Sequence, residues 1–236
     1  MLTIAKNIYL FYKSPLSNNE SLQFSKSKLF WQVLLIYFLG LFIVAPLSNA
    51  ITAIIPLISG YKNPMDIFHS KLNKVNMLYG YYQFLLVLLI MPIVEEVIFR
   101  LHLIYNWHNV VISLTVILLY ALISFYKLNY TFNVSLVLFL FCGLGALLAT
   151  VVLHDTKQLG QWPFVISAVL FGFAHLGNYG TLHISIFYFY IFLVLPQIFA
   201  GLILGYIRVN MGIVYAILMH ILIDVPVMLV QFSKHY

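Results

Sequence analysis

The sequence predicts an all-α fold, a polytopic transmembrane helical bundle of about seven spans (six to eight), and three observations carry that prediction. The chain of 236 residues is 63% hydrophobic. Its charged residues are few, 12 Lys and Arg against 6 Asp and Glu, so a soluble domain of this size could not cover its surface. Several apolar runs approach or exceed the ~20 residues that a helix needs to cross the hydrocarbon core, where every backbone N–H and C=O must be satisfied internally.

Taken in order, residues 1–28 read as a cytoplasmic N-terminal extension. They hold lysines and the polar run SNNESLQFSKSK, with no short apolar core followed by a small-residue cleavage site. Residues 29–236 read as a single transmembrane domain. Its first apolar segment, 29–59, is long enough to tilt, or to break at Pro46 or Pro56. Further segments fall at 78–99, 109–126, 132–153, 162–176, 183–207 and 212–232, with ends good to ~2–4 residues. The segment 162–176 is short for a full crossing. The loops are short and polar, and no repeat or linker divides the domain.

With 1–28 cytoplasmic and seven spans, that side collects Lys6, Lys13, Lys26, Lys28, Arg100, Lys157 and Arg208, against Lys62, Lys71, Lys74, Lys127 and Lys234 opposite. This is a weak positive-inside bias. The net charge of +6 is scattered singly among hydrophobic segments and forms no patch with interleaved aromatics, so it reads as basic loops at a lipid surface rather than a nucleic-acid interface. The heavy use of Ile, Phe, Tyr, Asn and Lys fits a bacterium with an AT-rich genome, hence a bacterial plasma membrane. Cys142 is the only cysteine and sits in an apolar run, which leaves no internal disulfide or thiolate metal site. The Gly201 and Gly205 spacing suits close helix approach, within the chain more simply than between chains. The oligomeric state is not legible.

Ionisable residues within spans cost ~2.5–3.5 kcal/mol each at a helix centre, so each needs a reason. Half of the carboxylates, Glu95, Glu96 and Asp224, lie in or at the ends of apolar segments, as do His175 and His220. In MPIVEEVIFR, residues 91–100, Glu96 and Arg100 are four apart and meet on one helix face, whereas Glu95 is rotated by about 100°. Glu96 is thereby neutralised, with Arg100 anchoring the helix end near the headgroups. Glu95 is left as a poorly solvated carboxylate, an environment that suits a general base. An isolated Glu-Glu pair more often marks a helix end at the interface. Phe171 and His175 again share a face, and so do His220 and Asp224. Each alone fits a hydrogen-bonded core residue or a structural pair. Three such elements in three separate spans point to convergence, because polar groups in a bilayer gain by meeting.

The series Glu95-Glu96-x-x-x-Arg100, Phe171-x-x-x-His175 and His220-x-x-x-Asp224 resembles the three motifs of the CAAX-protease and bacteriocin-processing (CPBP, also called Abi) family of intramembrane endopeptidases. The resemblance covers about residues 80–230, and the eukaryotic branch of that family removes the last three residues of prenylated proteins. It implies that Glu95 and His175 activate the attacking water, that His220 and Asp224 stabilise the oxyanion, and that Glu96, Arg100 and Phe171 support the site. The family position at Asp224 is often Asn. An ionised Asp can only accept a hydrogen bond, so Asp224 either is protonated and donates, or orients and charges His220.

No cofactor is expected. Zinc is the alternative, since Glu95, His175 and His220 could ligate it with a water in the fourth position, although no His-Glu-x-x-His helix is present. Nor does the sequence contain the Ser or Gly-x-Gly-Asp patterns of other intramembrane proteases. The implied substrate is a small peptide or a membrane-tethered protein, in bacteriocin maturation or self-immunity. Two other classes compete: a non-catalytic immunity or scaffold protein, and a proton-coupled transporter using the same ionisable residues as a relay.

Overall fold

The computed structural model describes residues 2–13, 25–70, 86–127, 133–154, 161–180 and 183–232, and every regular element among them is helical. Within the expected N-terminal extension, α1 (Leu2–Lys13) is an amphipathic helix. It buries Ile4 and Phe11 in the main core and leaves Lys6, Tyr9 and Lys13 exposed. Residues 14–24 lie outside the described residues.

Helix α2 (Lys26–Thr52) begins at Ser25, whose hydroxyl accepts the Lys28 N–H, and runs through Pro46. The expected break falls at residues 53–54, and the chain resumes as α3 (Ile55–Ser59) with Pro56 in its first turn, where the missing N–H leaves no bond unmade. A π-helical turn (Leu86–Ile90) leads into α4 (Met91–Phe99). Then follow α5 (Trp107–Lys127), α6 (Val134–Leu153), α7 (Trp162–Ala174), the short α8 (Tyr190–Leu193), α9 (Leu195–Met211) and α10 (Ile213–Phe232).

Among the described residues, three helices are long and apolar enough to cross a membrane: Lys26–Ser59, Trp107–Tyr126 and Val134–Leu153. A fourth span results if Ile184–Leu193 and Leu195–Met211, bent by 45°, cross together. The bend falls at Val194, two residues before Pro196 in the α9 first turn. At 1.5 Å per residue, α7 with 13 residues falls short of the ~30 Å core, while α4 continues directly from the π-helical turn that begins at Leu86. Residues 78–85 of the second expected span lie outside the described residues.

One core packs α1, α2, α9 and α10 around Val33, Leu204 and Met219; a second packs α4 to α7 around Phe99, Ile117 and Ala146. Helix α7 lies between α6 and α9, and glycine makes the second contact close. A Cβ at Gly201 would stand 3.0 Å from the Ala168 Cα, and one at Gly172 would stand 2.4 Å from the Ile198 side chain. The glycine spacing on α9 thus serves packing within the chain. The two basic residues expected at loop ends, Arg100 and Arg208, are instead buried, Arg100 against Glu96 of α4 and Arg208 on the carbonyls of Arg100 and Leu101 just beyond it. They leave the charge balance of the loops, while Lys71, Lys74, Lys157 and Lys234 lie outside the described residues.

Candidate active site

The site forms where α4, α7 and α10 meet. Helix α4 ends in low-dielectric surroundings, so its last carbonyls need donors from elsewhere in the protein. Three other helices supply them. Ser113 on α5 donates to the Val97 carbonyl at 2.8 Å, and Ser167 on α7 donates to the Phe99 carbonyl at 2.5 Å. Arg208 on α9 donates through Nε to the Arg100 carbonyl at 3.1 Å and through Nη2 to the Leu101 carbonyl at 2.9 Å. The helix that carries both glutamates is therefore held at its C-terminal end by side chains that no motif contains. The one signal for them is a polar residue inside an apolar run.

Glu95 and Glu96 part as their spacing predicts. Glu96 is 0% exposed, and its Oε1 lies 3.2 Å from Arg100 Nη1. Arg100 is buried with its guanidinium 3.7 Å from the Phe171 ring centre, within the range of a cation–π contact. That overturns the expected headgroup anchor: an aromatic face and a carboxylate hold the charge inside. The same Glu96 Oε1 accepts the His220 Nδ1–H at 2.9 Å. This contact was not foreseen, because residues 96 and 220 are joined by no local spacing.

Glu95 faces the other way. Its Oε2 lies 3.9 Å from His175 Nε2 and 3.7 Å from His220 Nε2. Both separations are too long for direct hydrogen bonds and leave room for an oxygen in contact with carboxylate and imidazole. His175 sits just beyond the end of α7, where its Nδ1 lies 2.8 Å from the Phe171 carbonyl. That carbonyl can only accept, so Nδ1 carries the proton and Nε2 of the neutral ring is an acceptor turned toward Glu95. Asp224 Oδ2 lies 3.7 Å from His220 Nε2. Asp224 thus stands on the cavity side of His220, and Glu96 takes the Nδ1 position from which the ring is oriented. The Phe171 ring contacts both imidazoles edge-on, with centres 4.7 Å from His175 and 5.8 Å from His220.

Glu95, His175, His220 and Asp224 all line one cavity of about 820 Å³, with Phe171 in its wall. Its lining is mostly apolar and includes Leu41, Phe68, Met91, Phe139 and Met228. Among the described residues no three His, Cys, Asp or Glu are arranged to hold a metal ion, so no step is derived through one.

A helical bundle that draws two carboxylates and two imidazoles from three helices into one protein-walled cavity belongs to the class of membrane proteins with an internal polar site. Residues 152–226 match the family described as Rce1-like, Type II CAAX prenyl endopeptidase Rce1-like, the same family that the motifs resemble. The match carries Phe171, His175, His220 and Asp224, while Glu95, Glu96 and Arg100 precede it and reach the site through the fold. No curated protein and no solved structure matches the chain. The apolar helices and the match point to an integral membrane protein that is similar, over residues 152–226, to the Rce1-like family of CAAX prenyl endopeptidases.

Proposed function

We propose that the chain is an intramembrane endopeptidase in which Glu95 is the general base. The observation that carries this reading is the position of Glu95 Oε2, 3.9 and 3.7 Å from two imidazole nitrogens inside one cavity. A water bound there donates one hydrogen to Glu95 and the other to His175 Nε2, which turns its lone pair toward the scissile carbonyl. Glu95 takes a proton as the water attacks. His220, held through Nδ1 by Glu96, donates from its doubly protonated form through Nε2 to the oxyanion, and Asp224 stands at the same nitrogen as a second group for that charge. Collapse of the tetrahedral intermediate breaks the C–N bond, and the proton on Glu95 passes to the leaving amine.

The substrate class is a small peptide or a membrane-tethered protein segment, in bacteriocin maturation or self-immunity, cleaved without a metal. The mostly apolar lining supports a hydrophobic substrate, since apolar walls favour apolar side chains. The test is cleavage of a peptide library by the detergent-purified protein, repeated with a strong chelator. Cleavage that survives chelation is expected. Loss restored by zinc would move the mechanism to the metal-assisted class, and failure to cleave any peptide or membrane-tethered reporter would remove the peptidase reading.

A further inference from the structure

The catalytic cavity holds other polar groups besides the four ionisable residues, and several of them are engaged by the protein's own backbone. Ser48 donates to the Phe192 carbonyl at 2.6 Å and Ser135 to the Gly177 carbonyl at 3.1 Å, while Asn133 accepts the Leu136 N–H as the N-cap of α6. Gln197, in the first turn of α9, differs. Its Nε2 donates to the Tyr179 hydroxyl at 3.2 Å, and its side-chain carbonyl oxygen is buried with no partner. Tyr179 decides which end of the amide points where. The hydroxyl has one hydrogen, which it gives to the Leu193 carbonyl at 3.2 Å, so toward Gln197 it can only accept. The NH2 must face Tyr179, and the carbonyl oxygen is left over on a residue that lines the cavity. A buried acceptor without a donor costs free energy in the empty protein and returns it when a donor arrives.

We propose that Gln197 is a substrate-binding residue whose side-chain carbonyl accepts a main-chain N–H of an extended peptide lying in the catalytic cavity. An apolar cavity can bind apolar side chains of many shapes but cannot satisfy the backbone of the peptide that carries them. One pre-oriented acceptor supplies that need at a fixed point, and so sets which peptide bond lies against Glu95. Every peptide has such N–H groups, so the acceptor selects extended backbone rather than a particular side chain. This inference deepens the peptidase reading and rests on it.

The test is binding, measured without turnover. The full chain carrying Glu95→Gln, in detergent, is titrated with a short apolar fluorescent peptide and with analogues in which one backbone amide at a time is an ester, which removes a single N–H. One ester position is expected to weaken binding about tenfold, the scale of one buried hydrogen bond. Adding Gln197→Met weakens the parent peptide by about the same factor and abolishes the penalty at that position, which a purely structural role would not do. Tyr179→Phe, which frees the amide to rotate, reads the same position with a smaller penalty and serves should Gln197→Met not fold. An ester profile identical with and without Gln197, or untouched by Tyr179→Phe, overturns the proposal. If the peptide binds with this dependence and the wild-type chain cleaves none, the peptidase reading falls and Gln197 stands as an acceptor for peptide backbone. If no peptide binds at all, both fall.

Discussion

Two sides of α4 meet opposite fates. On the cavity side, Glu95 keeps a side chain 10% exposed and touches nothing closer than 3.7 Å among the imidazoles around it. On the dry side, Glu96 is 0% exposed and is held at 3.2 Å by Arg100 and at 2.9 Å by His220. The same residue type thus does opposite work one position apart. On the proposed reading the group that takes up a proton is left loosely held and reachable, whereas the group that holds geometry is gripped through one oxygen, Oε1, from two sides while its Oε2 is buried without a partner. Phe171 stands between the two regions, with its ring face on Arg100 and T-shaped contacts to both histidines.

The largest effect should come from the cavity side. Glu95→Gln keeps the shape and removes the base, so turnover should fall by about 10²–10⁴-fold, with thermal unfolding in detergent nearly unchanged. A variant that keeps full activity would end the assignment of Glu95 and, with it, the division between the two sides.

The dry side should answer in stability instead. Glu96→Gln leaves Arg100 buried without its carboxylate, a change of about 3–5 kcal/mol when one partner of a buried pair is lost. Arg100→Gln in the same chain removes the orphaned charge and should recover much of that stability. Activity should stay low in the double variant, because the carboxylate that holds His220 Nδ1 is still missing. Stability losses that simply add would show that the pair is not coupled.

Phe171→Leu probes the wall between the regions. It removes the aromatic face under Arg100 at an expected cost of about 2 kcal/mol, measured by unfolding in detergent. In the Arg100→Gln background most of that loss should vanish. An equal loss in both backgrounds would mean that the ring contributes only apolar packing.

Much of this arrangement was legible in the sequence because helical spacing reports which residues share a face. Glu96 with Arg100, Phe171 with His175 and His220 with Asp224 each lie four apart, and each pair is in contact or close approach. The bond between Glu96 and His220 crosses 124 positions and follows no period, and the same holds for Ser113 and Ser167 on carbonyls of α4 and for Arg208 on those just after it. Arg208 was assigned to a loop end because a charge near the end of an apolar run has two readings, headgroup anchor or buried carbonyl donor, and only packing separates them. His102 shows the converse: buried like His220, it pairs with Thr150 at 2.9 Å and is not among the residues lining the cavity. The span count is less legible, because an apolar run reports burial in lipid or protein alike, and the short α7 is apolar partly because it lies between α6 and α9.

The smallest effect expected is also the most discriminating on the cavity side. Asp224 has a side chain 32% exposed, with Oδ2 3.7 Å from His220 Nε2. Since Glu96 already occupies Nδ1, Asp224 acts where the oxyanion would form, and its role turns on whether it donates or only accepts. If it works as a protonated acid, Asp224→Asn keeps an N–H donor in the same place and kcat should change by no more than about threefold, whereas Asp224→Ala should lose about tenfold, the scale of one hydrogen bond. If it works as a carboxylate that charges His220, both variants lose that charge and should be equally impaired. The ratio of the two rates therefore decides the role without knowledge of the natural substrate, provided that one peptide is cleaved. A ratio near one would return the oxyanion to His220 alone and leave Asp224 a neighbour of the chemistry.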